Sequence, residues 1–121
     1  MKKIILVVDD VPNNIKILKS VLEQQDYTIR AATSGEKALK LVTKTPAPDL
    51  VLLDIMMPEM DGIEVCTRLK QDSNTANIPV IFISAKDDAA NQSVCFNAGA
   101  VDYITKPFKA DDVLTRVAKY L

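Results

Sequence analysis

Residues 4–10 read Ile-Ile-Leu-Val-Val-Asp-Asp: five apolar residues in a row, stopped by two aspartates. A run that is continuously apolar, not alternating, marks a strand buried on both faces, the environment of a central strand in a parallel sheet. Leu50–Leu53 and Val80–Ile83 repeat the pattern, and Leu53 is also followed by an aspartate, Asp54. Two further runs are interrupted: Tyr27–Ala32 by Thr28 and Arg30, and Val101–Ile104 by Asp102. Between these runs apolar residues recur at helical spacing. Ile15, Leu18, Val21 and Leu22 form one such set, Ala38, Leu39 and Val42 a second, and Ile63, Cys66 and Leu69 a third. Val113, Leu114, Val117, Ala118 and Leu121 form the last, and a weaker helix is predicted from Asp87 to Ala98.

Strand and helix alternating throughout give an α/β fold with a parallel sheet covered on both faces. The uninterrupted strands belong in the middle and the interrupted ones at the edges, which sets the order 2-1-3-4-5, a flavodoxin-like doubly wound (βα)5 sheet of five strands. Helix signals agree with this division. Thr33 with Glu36, and Asp61 with Glu64, have the spacing of capping boxes. Pro58 and Gly62 shape the turn into the third helix, and Gly99 ends the fourth.

The 121 residues suit one domain, residues 1–121, large enough to bury a core without metals or disulfides. A net charge of −1 argues against a nucleic-acid or anionic-membrane binder. No apolar run approaches bilayer length. Met1-Lys2-Lys3 before the first run lacks a small-residue cleavage site and is not a signal peptide. Cys66 and Cys95 have no CxxC spacing and read as free thiols in a reducing cytoplasm, where the glycosylation-like Asn91-Gln92-Ser93 has no meaning. The chain has no histidine, so carboxylates, Lys, Ser, Thr and Tyr must carry any chemistry.

In the 2-1-3-4-5 order the chain reverses between strands one and three, and ligands bind beyond the carboxyl ends of the strands there. The residues at those ends are Asp9-Asp10, Asp54, Ser84-Ala85 and Thr105-Lys106-Pro107. Each has an ordinary reading by itself. Asp10 can cap the first helix with Pro12 in its first turn, Ser84 can cap the fourth, and Lys106 can be a solvated lysine. Together they read otherwise. Like charges ~4 Å apart repel by about 4 kcal/mol at an effective dielectric near 20. Three carboxylates and one ammonium leave a local charge of −2, which a divalent cation cancels. Oxygen ligands without histidine favour Mg²⁺, with Mn²⁺ as a substitute. A carboxylate can attack phosphorus, and a cation, a lysine and a hydroxyl stabilise the phosphoryl oxygens in the transition state.

The sequence resembles the receiver domain of bacterial two-component response regulators, of the chemotaxis-regulator kind. The resemblance is carried by Val7-Val8-Asp9-Asp10, by Leu53-Asp54-Ile55-Met56-Met57-Pro58-Glu59-Met60-Asp61-Gly62, by Ser84-Ala85, and by Asp102-Tyr103-Ile104-Thr105-Lys106-Pro107-Phe108. It implies that Asp54 is the phosphoacceptor and that Asp9, Asp10, Asp54 and the backbone carbonyl of Met56 hold Mg²⁺. It also implies that Ser84 and Lys106 contact the phosphoryl group, that Tyr103 is the aromatic switch, and that the Lys106–Pro107 peptide bond is cis. The implied donor is an external histidine kinase or histidine phosphotransfer protein. Output is expected through the face formed by the fourth helix, fifth strand and fifth helix, to a downstream protein or effector domain, with phosphorylation-dependent dimerisation left open. Asn91, Lys109, Arg116 and Lys119 lie on that face and read as an ordinary solvated face rather than a demonstrable interface.

Two rival readings fare worse. An aspartyl-nucleophile phosphatase needs an acid two residues after the nucleophile, where this chain has Met56 after Asp54 and Val11 after Asp9. A flavin- or nucleotide-binding fold needs a phosphate loop after strand one, and Asp9-Asp10-Val11-Pro12 repels phosphate, with no GxGxxG or GxxxxGK[ST] elsewhere. The expectation is a phosphorylated cytoplasmic switch, not a turnover enzyme. No effector domain is expected within the 121 residues, whether they stand alone or belong to a longer regulator.

Overall fold

A computed structural model describes residues 2–85 and 89–121. Its strands are β1 (Ile4–Val8), β2 (Thr28–Ala32), β3 (Leu50–Leu53), β4 (Val80–Ser84) and β5 (Asp102–Thr105). Its helices are α1 (Pro12–Leu22), α2 (Gly35–Leu41), α3 (Gly62–Gln71), α4 (Ala89–Asn97) and α5 (Ala110–Lys119), with a short 3₁₀ turn at Glu23–Gln25. The predicted start of α4 at Asp87 lies outside the described residues. All strands pair in parallel, in the order β2-β1-β3-β4-β5.

Hydrophobicity set that order. Every residue of β1, β3 and β4 is buried, while edge strand β2 tolerates Thr28 and Arg30 because one flank faces solvent. Alternate residues of the central strands feed two cores. Leu6, Val8, Val51, Leu53, Val80 and Phe82 pack with residues of α2, α3 and α4. Ile5, Val7, Leu50, Leu52, Ile81 and Ile83 pack with α1 and α5. With both faces covered, the carboxyl-terminal rim is the place left for polar chemistry. Among the described residues, no helix is long and apolar enough to cross a membrane.

Local signals held with one shift. Asp61 caps α3, its carboxylate accepting from the Glu64 amide at 2.9 Å. For α2 the cap is Ser34, not Thr33: the Ser34 hydroxyl accepts from the Lys37 amide at 3.2 Å. Adjacent hydroxyls cannot be ranked from spacing alone, and the turn after β2 brought the second into position. Gly99, with φ of +112°, stops α4 in the left-handed region that glycine enters freely. The Lys106–Pro107 bond is cis as expected, and Thr45–Pro46 is also cis.

Gly62 does more than turn the chain. A Cβ there would overlap the carbonyl oxygen of Asp54 and lie 3.0 Å from the Ile55 Cα, while the Gly62 amide donates to the Ile55 carbonyl at 2.8 Å. α3 thus starts directly against the backbone that presents Asp54. Gly62→Ala should cost about 2 kcal/mol of stability through overpacking, measurable by denaturant unfolding. It should also displace the Asp54 and Ile55 amide resonances before those of the remote β2 edge.

Candidate functional site

β1 and β3 are neighbours with Val8 paired to Leu53, so Asp9 and Asp54 leave the sheet side by side. The Asp54 amide donates to the Val8 carbonyl at 3.0 Å, extending the ladder by one step beyond the strand. Asp9, Asp10 and Asp54 each place a carboxylate oxygen within 4.8 Å of the others. Asp9 and Asp54 are buried, and Asp10 is half-buried at the mouth. Asp10 does not cap α1. The residue before that helix is Val11, it makes no side-chain cap, and Pro12 fills the first helical position, where a missing N–H costs nothing.

Lys106 arrives from the opposite end of the chain. Its backbone amide donates to the Ser84 carbonyl at 2.8 Å, which continues the β4–β5 ladder past Ser84 and Thr105. Its ammonium donates to Asp9 Oδ2 at 3.1 Å and stands 3.9 Å from Asp54 Oδ1. Lys106 is therefore not a solvated lysine. It is partly buried between two of the three acids, and it is closer to the one not expected to react.

The Asp9 carboxylate is held firmly. Oδ1 accepts from the Val11 amide at 2.9 Å, and Oδ2 accepts from Asn14 Nδ2 at 3.2 Å as well as from Lys106. Asn14 was not singled out from the sequence. Its position in the first turn after Asp9-Asp10-Val11-Pro12 was the available signal, since that turn folds back beside the strand end. A cleft of about 290 Å³ opens next to it, lined by Asn14, Ile17, Lys106, Pro107 and Phe108.

Asp54 is electrostatically poised. Burial raises its pKa from the ordinary 3.8 to about 6, Lys106 draws it down, the charges of Asp9 and Asp10 push it up, and the Ile55 amide draws it down again. One lysine does not neutralise three acids, and Asp54 carries part of the imbalance as a raised affinity for protons. A cation able to replace the proton fits that imbalance and the all-oxygen donor set.

Ser84 is fully buried at the end of β4. Tyr103 is not part of the acid cluster. It lies on the α2–α3–α4 side of the sheet, buried in that core, and its hydroxyl accepts from Asn91 Nδ2 of α4 at 2.9 Å. The Met56 side chain is 59% exposed and points away from the core that holds Met57. On the β5–α5 face Arg116 is committed within the chain, to Asp102 at 2.6 Å and to Asp112 at 2.9 Å. Cys66 and Cys95 are free and buried, and burial pushes both thiols up to about 11, so neither is a nucleophile at neutral pH.

A doubly wound sheet with three acids and a lysine at its carboxyl rim defines a class of acidic-site α/β domain, and comparison with known proteins narrows it. The model of the response regulator receiver domain family matches residues 5–118, and the chain belongs to that family. It is 41% identical over 121 residues to the alkaline phosphatase synthesis transcriptional regulatory protein PhoP of Bacillus subtilis, covering 100% of this chain and 49% of that protein. It is 42% identical over 110 residues to the response regulator PleD of Caulobacter vibrioides, covering 91% of this chain and 24% of that protein. The chain thus spans half or less of the length of these relatives. The BeF3-activated receiver domain of DrrB from Thermotoga maritima superposes with a TM-score of 0.88 at 33% identity, covering 99% of this chain and 97% of that one.

Proposed function

We propose that Asp54 accepts a phosphoryl group from a phosphohistidine on an external histidine kinase or phosphotransfer protein, and that the modified site biases the fold toward an output state. The observation that carries this reading is the shared lysine: Lys106 lies between Asp9 and Asp54 within a cluster of three carboxylates. The Asp54 carboxylate oxygen attacks phosphorus, the P–N bond breaks, and its electron pair returns to the donor imidazole, which takes up a proton. Asp54 then carries an acyl phosphate. None of the 121 residues is a histidine, so the donor histidine lies outside them.

Asp9, Asp10, Asp54 and the Met56 carbonyl are the residues that would hold Mg²⁺ or Mn²⁺. When bound, the ion supplies the positive charge that lets a phosphoryl dianion approach three acids. The protein's own part is to expel water around Asp54, to hold Asp9 with three donors, and to offer the Lys106 ammonium and the Ser84 hydroxyl to the incoming oxygens. Met56 stands where a phosphatase would carry its general acid, so the acyl phosphate is expected to last and act as a timer. Tyr103, whose hydroxyl accepts from Asn91 of α4, would report the site to the α4–β5–α5 face. Binding there or dimerisation would then read the state as a shift between existing conformations.

A small phosphoramidate donor, which presents the same P–N bond, tests the chemistry without a cognate kinase. With Mg²⁺ the intact mass should rise by one phosphoryl group, and chelation with EDTA should reduce the rate at least 100-fold. Equal labelling with and without the metal would sink the reading.

A further inference from the structure

In this structure Lys106 is committed to the wrong acid. Its ammonium is 3.1 Å from Asp9 Oδ2 and 3.9 Å from Asp54 Oδ1. To engage a phosphoryl group on Asp54 it must move toward Asp54 and weaken its bond to Asp9. That move has a cost. Asp9 is 1% exposed, and a buried carboxylate oxygen left without a donor bears an unpaid desolvation penalty. The same oxygen has a second donor, Asn14 Nδ2 at 3.2 Å, and the other oxygen keeps the Val11 amide at 2.9 Å.

We infer that Asn14 is a positioning residue for phosphoryl transfer: it holds Asp9 Oδ2 while Lys106 passes from Asp9 to the phosphoryl group on Asp54. Its placement suits the task. Asn14 sits in the first turn of α1, which is anchored by Pro12 and by the Asn14 backbone amide donating to the Val11 carbonyl at 3.0 Å. The amide is thus fixed to the rigid end of a helix, whereas Lys106 is carried on a long flexible stem. Being neutral, Asn14 supports Asp9 without competing with the lysine for the incoming charge. A lysine or arginine in its place would add a second cation, and an apolar residue would leave Lys106 as the sole donor to Oδ2 among those described, locking it there.

The inference rests on the proposed role of Asp54, and the test separates the two. Beryllofluoride, BeF3⁻, stands in for the phosphoryl group, and its affinity is measured by amide chemical shifts at saturating Mg²⁺. The Mg²⁺ affinity is measured separately without it. Asn14→Leu should weaken BeF3⁻ binding at saturating Mg²⁺ about tenfold or more, the range for loss of a hydrogen bond to a buried charge, and by clearly more than it weakens Mg²⁺ binding, which Asn14 supports only through Asp9. Asn14→Gln, which keeps the amide, should restore most of the BeF3⁻ affinity. Wild-type BeF3⁻ affinity in Asn14→Leu overturns the inference. So does an equal loss of Mg²⁺ and BeF3⁻ affinity, because Asn14 would then only shape the metal site. If the wild-type protein with Mg²⁺ binds no BeF3⁻, the assignment of Asp54 fails first and takes the inference with it.

Discussion

Asp54→Asn should abolish phosphorylation: no hydroxylamine-labile phosphate should form with Mg²⁺ and a phosphoramidate or kinase donor, a loss of at least 1000-fold. Asparagine keeps the shape of the side chain and the bond pattern of the β3 end, so the fold and the α3 junction at Gly62 should remain. What disappears is the anionic oxygen that attacks phosphorus. Asp9 cannot take over, because both its oxygens are held by Val11, Asn14 and Lys106. Asp10 is freer but lies at the mouth, half exposed and without a lysine contact among the described residues. Trace labelling at Asp10 would show that position alone distinguishes the acids. Full labelling of Asp54→Asn would remove Asp54 from the chemistry altogether.

The sheet order was legible because burial is written in residue types. Thr28, Arg30 and Asp102 could not sit in strands covered on both sides, so β2 and β5 went to the edges. The convergence of Asp9, Asp10, Asp54, Ser84 and Lys106 followed from the order, since each stands at the carboxyl end of a strand or within two residues of it. Partner choice was not legible. Asp9 and Lys106 are 97 residues apart in sequence, and nothing local says that the ammonium lies closer to Asp9 than to Asp54. Asn14 was invisible for a related reason. An asparagine in a first helical turn usually serves its own helix, and only the close return of α1 onto the end of β1 aims its amide at Asp9. Tyr103 was singled out, but the bond from Asn91 that fixes its hydroxyl depends on how α4 packs, which weak periodicity did not resolve.

The metal-free domain should lose stability as pH rises through the range in which Asp54 ionises, the reverse of the usual behaviour of a carboxylate. Its pKa is about 6 in the folded chain against an ordinary 3.8, raised mainly by burial and further by Asp9 and Asp10. Between those values the folded state binds more protons than the unfolded state, so the slope of unfolding free energy with pH is negative. The contribution is absent below pH 3.8 and complete above about 6. It amounts to about 3 kcal/mol. Other carboxylates titrate in the same window, so the informative quantity is the stability of Asp54→Asn minus that of wild type, from urea unfolding in EDTA. Near pH 3.5 the two should be close, since a protonated Asp54 and an asparagine are both neutral. At pH 7.5 the variant should be the more stable, by about 3 kcal/mol. Millimolar Mg²⁺ should shrink that gap by stabilising wild type more, because a cation bound to the folded state alone adds stability by mass action and Asp54→Asn offers it one charge fewer. A difference that stays flat from pH 3.5 to 7.5 would mean that Asp54 carries no ionisation strain.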